Sequence, residues 1–266
     1  MKRSKKKHNH QCGSDLAAVV GLRDWYRSKA GRRLLEQEKA ELDETLANLF
    51  GYHLLQVGVI TEDSLLASSL IPDCMVLQRD AGSVKLDGNL SKKVIGGLPD
   101  ALPIASDSLD VVLMPHVLEF SRNPHQVLRE VDRVLIPEGH VVITGFNPWS
   151  PWVLWRLALG WRQQAPWCGR FLSLSRIKDW LSLLGFDIIS TQHVFYRPPV
   201  NHDGIMDKLA FLETLGERFW PVLGASYTLV AKKRVFTFTP IKPRWRPRRR
   251  FISDGVVEPQ NREKIL

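Results

Sequence analysis

His116 is the residue of this chain best placed to do chemistry. It follows the run Asp110 to Pro115 (DVVLMP), which is short, nearly all apolar and rich in valine, the pattern of a strand buried on both faces. A histidine just past the carboxyl end of such a strand stands where open α/β sheets take their ligands. Its ordinary pKa lets it take or give a proton near neutral pH, so it could relieve a hydroxyl or phenol of its proton. The competing reading is a turn histidine that hydrogen-bonds the backbone. Glu119 stands three residues on, but one carboxylate is not a metal or substrate site. The sequence holds no HExxH, no paired aspartate cluster and no nucleophile elbow, so no metal is implied. Cys12, Cys74 and Cys168 are scattered and form no CxxC pair. The expectation is neither a disulfide framework nor a zinc cluster, and a reducing cytoplasm.

The elements around His116 follow from periodicity. From Pro124 to Leu135, Val127, Leu128, Val131, Val134 and Leu135 recur at helical spacing, with Arg129, Glu130, Asp132 and Arg133 mostly on the other face. Asn123 is the expected N-cap and Pro124 the first helical residue. Pro137-Glu-Gly139 is read as the stop, and His140 to Thr144 (HVVIT) as the next strand. Two buried strands joined by a helix must be parallel, with a right-handed crossover. Upstream, Tyr52 to Val59 reads as a first strand, Cys74 to Gln78 as a second, and Lys85 to Ile95 as a shortened helix with a third. Downstream come a helix over Leu174 to Leu184, a strand over Phe186 to Tyr196, a helix over Phe211 to Phe219, and a last strand over Ala225 to Lys232, expected antiparallel at the edge. Residues 15–50 are helical by pattern, with a break expected at Gly31; Leu34, Leu35, Glu38, Leu42, Leu46 and Leu49 fall near helix spacing. Trp25 and Tyr26 either line a site mouth or pack against the sheet.

The stretch from Leu102 to Pro148, LPIASDSLDVV followed by REVDRVLIPEGHVVITGFNP, resembles the latter half of a class I S-adenosylmethionine (SAM)-dependent methyltransferase of the type 11 group. In that group "LPF…SFDVV" leads into a helix carrying "REVxRVLxPGG", then a strand and "NP". The likeness is close over residues 50–150 and looser to about 235. With GRRLLEQE and FGYHLLQVG included, the layout is most similar to a bacterial branch of type 11 methyltransferase-like proteins. The resemblance implies an α/β, Rossmann-like fold with a seven-stranded, mostly parallel sheet and helices on both faces. It also implies SAM as cofactor and direct methyl transfer to an O, N or C nucleophile.

Carried over position by position, the cofactor turn falls on Val57, Gly58 and Val59. The family's "DxGxGxG" is here LLQVGVITEDSLL, with Gln56 at the acidic position and Gly58 the only glycine. Ile60 and Glu62 stand near the later glycines; Glu62 and Asp63 suit the first turn of a helix. The carboxylate that takes the ribose hydroxyls is expected at Asp80, although Arg79-Asp80-Ala81-Gly82 reads equally as a surface turn. Leu98 holds the place of the family's adenine-binding acid. Asp100 is expected to substitute by a small loop shift, with Ala101 and Leu102 beside the adenine, or else to cap a turn. Pro115 and His116 complete the cofactor side, and His116 is also the catalytic candidate.

The segment WSPWVLWRLALGWRQQAPWCGRF, which takes in an insertion over residues 149–170, places Trp149, Trp152 and Trp155 near one helical face. It reads as a hydrophobic lid, as a membrane-surface helix carrying Arg156 and Arg162, or as a packing helix. The net charge of +9 divides unevenly: residues 1–10 carry +5, residues 231–266 carry +8, and the body between carries −4. Residues 1–14 are read as a disordered basic leader, 15–235 as the domain, and 236–266 as a Pro/Arg-rich tail that could meet a nucleic acid or an anionic membrane surface. No apolar run is long enough to span a bilayer, and no signal peptide is read at the start. Three functions stay open: a cytoplasmic methyltransferase acting on a small-molecule or macromolecular acceptor, a non-catalytic scaffold derived from one, and an RNA-modifying methyltransferase that uses the tail.

Overall fold

The computed structural model describes residues 15–61, 64–79, 93–159, 165–199, 209 and 211–234. The chain divides into two units, 1–235 and 236–266. The first holds the sheet; the second, with the basic tail, lies outside the described residues, as does the leader over 1–14.

Seven strands form one sheet: β1 (His53–Val57), β2 (Asp73–Gln78), β3 (Lys93–Gly96), β4 (Leu109–Pro115), β5 (Leu135–Phe146), β6 (Phe186–Val194) and β7 (Ser226–Lys233), in the order β3-β2-β1-β4-β5-β7-β6. Neighbours from β3 to β5 pair in parallel, and β7 runs antiparallel to both β5 and β6. The expected seven-stranded, mostly parallel sheet is present. The last strand is antiparallel as expected, but it lies inside the sheet, where β6 covers its outer edge.

Two apolar clusters, one on each face, fill the space between sheet and helices. On one face α4 (Pro124–Val134) seats Val127, Leu128, Val131 and Val134 against β4 and β5. Burying each such side chain contributes roughly 1.5–3 kcal/mol. Asn123 caps this helix by accepting from the Gln126 N–H at 3.3 Å, and Pro124 sits in its first turn. β5 then begins at Leu135, without the predicted stop. The Pro137-Glu138-Gly139 stretch is absorbed as a bulge: Leu109 pairs with Leu135 but Val111 with His140, and Glu138 takes a left-handed φ of 66°. A bulge lets a strand carry residues that the ladder cannot pair.

On the other face lie α1 (Asp15–Tyr26) and α2 (Lys29–Ala47). The break between them falls at Arg27-Ser28, earlier than expected, because Ser28 caps α2 through the Gly31 N–H at 3.2 Å. Gly31 has a different task. A Cβ there would stand 2.3 Å from the Trp25 carbonyl oxygen, so only glycine lets the two helices approach this closely. Downstream, α5 (Trp152–Leu159) starts too late to hold all three tryptophans on one face. Trp152 is 1% exposed and Trp149 71%. The helices α6 (Leu174–Leu183) and α7 (Phe211–Phe219) complete the set of named helices.

The cysteines depart from expectation: Cys168 is disulfide-bonded, while the Cys74 thiol is outside any disulfide and donates to the Ile71 carbonyl at 3.3 Å. Among the described residues no helix is long and apolar enough to cross a membrane.

Candidate functional site

The carboxyl ends of β1, β2 and β4 and the turn after β3 open into a cavity of about 350 Å³. This is within the size range of small-molecule sites, at the edge of the sheet where α/β folds take ligands. Leu22 and Arg23 of α1 also line it, so the N-terminal helices form part of its wall.

The turn after β1 is built around Gly58, whose φ of +80° suits glycine and strains other residues. Its N–H donates to the Leu77 carbonyl at 3.0 Å, and its own carbonyl accepts from Gln56 Nε2 at 2.9 Å. Gln56 is buried at 4% exposure. A carboxylate at that position has no N–H to give, so the glutamine that replaces the family's acid holds the turn in a way an aspartate could not. Residues 65–68 form a turn; Glu62 and Asp63, expected in the first turn of a helix, lie outside the described residues.

Behind the cavity wall is a buried polar knot. His116 follows β4 with a left-handed backbone (φ 51°, ψ 30°) at the start of the one-turn helix α3 (Val117–Phe120). Its Nε2 lies 3.0 Å from Glu38 Oε1 and 2.9 Å from the Tyr26 hydroxyl, and its Nδ1 lies 3.3 Å from Glu119 Oε1. The Tyr26 hydroxyl donates to Glu38 Oε2 at 2.8 Å, and the Phe146 N–H donates to Glu119 Oε1. The ring packs on Phe146 with centroids 4.2 Å apart. Burial acts to lower the His116 pKa, but the charges of Glu119 and Glu38 outweigh it and raise the value to about 10. Burial, then the Glu38 carboxylate, pushes the Tyr26 phenol up, so its proton stays on oxygen. The two carboxylates meet opposite nitrogens of one ring and so do not converge on a common point as metal ligands must.

Of the residues singled out from sequence, Gly58, Val59, Asp100, Pro115 and His116 line the cavity together. Val57 ends β1 as a buried core residue. Asp80 lies outside the described residues. Ala101 and Leu102 belong to a neighbouring structure: Ala101 bridges to Leu98, and the Leu102 N–H donates to Glu130 Oε2 at 2.9 Å. The Arg133 guanidinium takes the carbonyls of Leu102 at 3.0 Å and Ile104 at 2.8 Å while pairing with Glu130 at 2.8 Å. The charged residues of the REVDRVL run thus clamp the loop that carries Asp100. Sequence reasoning missed Gln78, Arg79 and Arg122 on the wall, and it missed the roles of Tyr26 and Glu38.

A profile of the methyltransferase domain matches residues 74–143. The uncharacterized protein YafS of Escherichia coli is 31% identical over 216 residues, 80% of this chain and 81% of YafS. A SAM-dependent methyltransferase of Thermotoga maritima shares the fold with a TM-score of 0.55 at 16% identity, covering 73% of this chain and 88% of its own. The chain carries a methyltransferase domain, shares a family with YafS and has the class I SAM-dependent methyltransferase fold. Its fold is also similar to that of the [4+2]-cyclase SpnF, with a TM-score of 0.53 at 18% identity over 74% of this chain and 80% of that one.

The residues of this methyltransferase-family cavity fit the family's cofactor. Gly58 leaves the wall at the end of β1 without a side chain, Leu77, Leu98 and Pro99 give it an apolar stretch, and Asp100, Gln78 and Arg23 offer polar groups of both signs.

Proposed function

We propose that this protein is a SAM-dependent methyltransferase whose cofactor occupies the cavity at the ends of β1, β2 and β4. The observation that carries the reading is that Gly58, Gln78, Asp100 and Pro115, from four successive strand ends, meet in one cavity. When bound, the cofactor supplies a methyl group activated on a sulfonium sulfur. The chain's own share is to hold and orient. Leu77 and Leu98 would flank the adenine, Gln78 and Asp100 would offer hydrogen bonds to its sugar and base, and Arg23 would meet the carboxylate. Direct transfer needs alignment and a dry site above all, and Leu22 of α1 shields the cavity from one side.

Calorimetric titration of the full chain with SAM and with S-adenosylhomocysteine tests this. Micromolar binding is expected, and Gly58→Val should weaken it at least tenfold while the fold persists, since valine cannot easily take a left-handed backbone. Absence of binding at millimolar ligand would reject the enzyme reading. The fold shared with SpnF, named as a cyclase, already carries other chemistry. A binding or scaffold role would then take its place.

A further inference from the structure

We infer that His116 is a permanent imidazolium that positions the cavity wall and never serves as a base, so that any proton an acceptor must lose is taken by another group. The inference rests on the methyltransferase reading above.

The geometry makes the case. Both ring nitrogens face carboxylate oxygens, Nε2 toward Glu38 at 3.0 Å and Nδ1 toward Glu119 at 3.3 Å, and the three side chains are 0, 3 and 1% exposed. A neutral imidazole has one N–H and one lone pair. Whichever nitrogen lost its proton would turn that lone pair toward a carboxylate oxygen, in a site where water cannot screen the repulsion. The groups that face the ring are Tyr26 from α1, Glu38 from α2, Glu119 from α3 and Phe146 from β5, with Tyr227 of β7 beside Glu119. None carries a positive charge, and the two carboxylates favour the charged ring against the burial that opposes it.

His116 thus has no lone pair to offer an acceptor.

The test is nitrogen-detected NMR of the full chain labelled with ¹⁵N, following the ring of His116 from pH 6 to 9. Its signals are identified by through-space contact with the Phe146 ring. Both ring nitrogens are expected to stay protonated throughout. In Glu38→Gln the midpoint should fall by about two pH units, bringing the ring into titration within the window. A wild-type ring that loses a proton near pH 7 would overturn the inference, whether or not the variant folds. The measurement needs no cofactor. Failure of the SAM titration sinks the enzyme reading alone, whereas a titrating His116 sinks the fixed imidazolium and leaves the cofactor site standing.

Discussion

Two regions of this molecule are almost equally hidden from water and are held in opposite ways. The strand–helix–strand unit from β4 through α4 to β5 is sealed by valine and leucine, most of them under 2% exposed. The knot behind the cavity holds two carboxylates, an imidazole and a phenol at 3% exposure or less. In the first, each contact is replaceable by another apolar one, and loss is graded with volume. In the second, each member hydrogen-bonds another, so removal of one leaves a buried polar group short of a partner. The scaffold tolerates variation; the knot fixes one arrangement of the N-terminal helices against the sheet.

The largest effect should come from the knot. Glu38→Ala removes the partner of both His116 Nε2 and the Tyr26 hydroxyl, and urea unfolding at pH 7 should show a loss of about 4 kcal/mol. The same experiment across pH sharpens the contrast. Because folding raises the His116 pKa from 6.5 to about 10, its stabilisation is complete below pH 6.5 and disappears as pH climbs to about 10. Wild-type stability should therefore decline over that window, and the decline should flatten in the variant. In the scaffold, Leu128→Ala should cost about 3 kcal/mol, with the same pH slope as wild type; a changed slope would mean the two regions are coupled. At the small end, Trp149→Ser should change the unfolding free energy by no more than about 0.5 kcal/mol, since that residue is 71% exposed.

The same contrast explains what could be read from the chain beforehand. β4, α4 and β5 were legible because apolar periodicity is local, and so were the Asn123 cap and the parallel pairing. The position of β7 between β5 and β6 was not, because pairing across a sheet leaves no mark on either strand. The knot joins residues 78 and 90 positions apart, through Glu38 and Tyr26 to His116, and no spacing rule links them. One signal was present. Leu34, Glu38, Leu42 and Leu46 recur every four residues, so a charge stood in the middle of the buried stripe of α2. A carboxylate in such a place needs a partner inside the fold. The bulge in β5 was misread as a helix stop because proline and glycine punctuate either kind of element.

The strand order also sets a timetable for synthesis. β6 leaves the ribosome before β7, yet β7 is the strand it pairs with, and β7 also closes the edge of β5. Until residues 226–233 emerge, β5 shows open backbone along an apolar face and β6 waits unattached, a state prone to stick to other chains. A message truncated before Ser226 would yield most of the cavity wall and a chain poorly able to stay in solution.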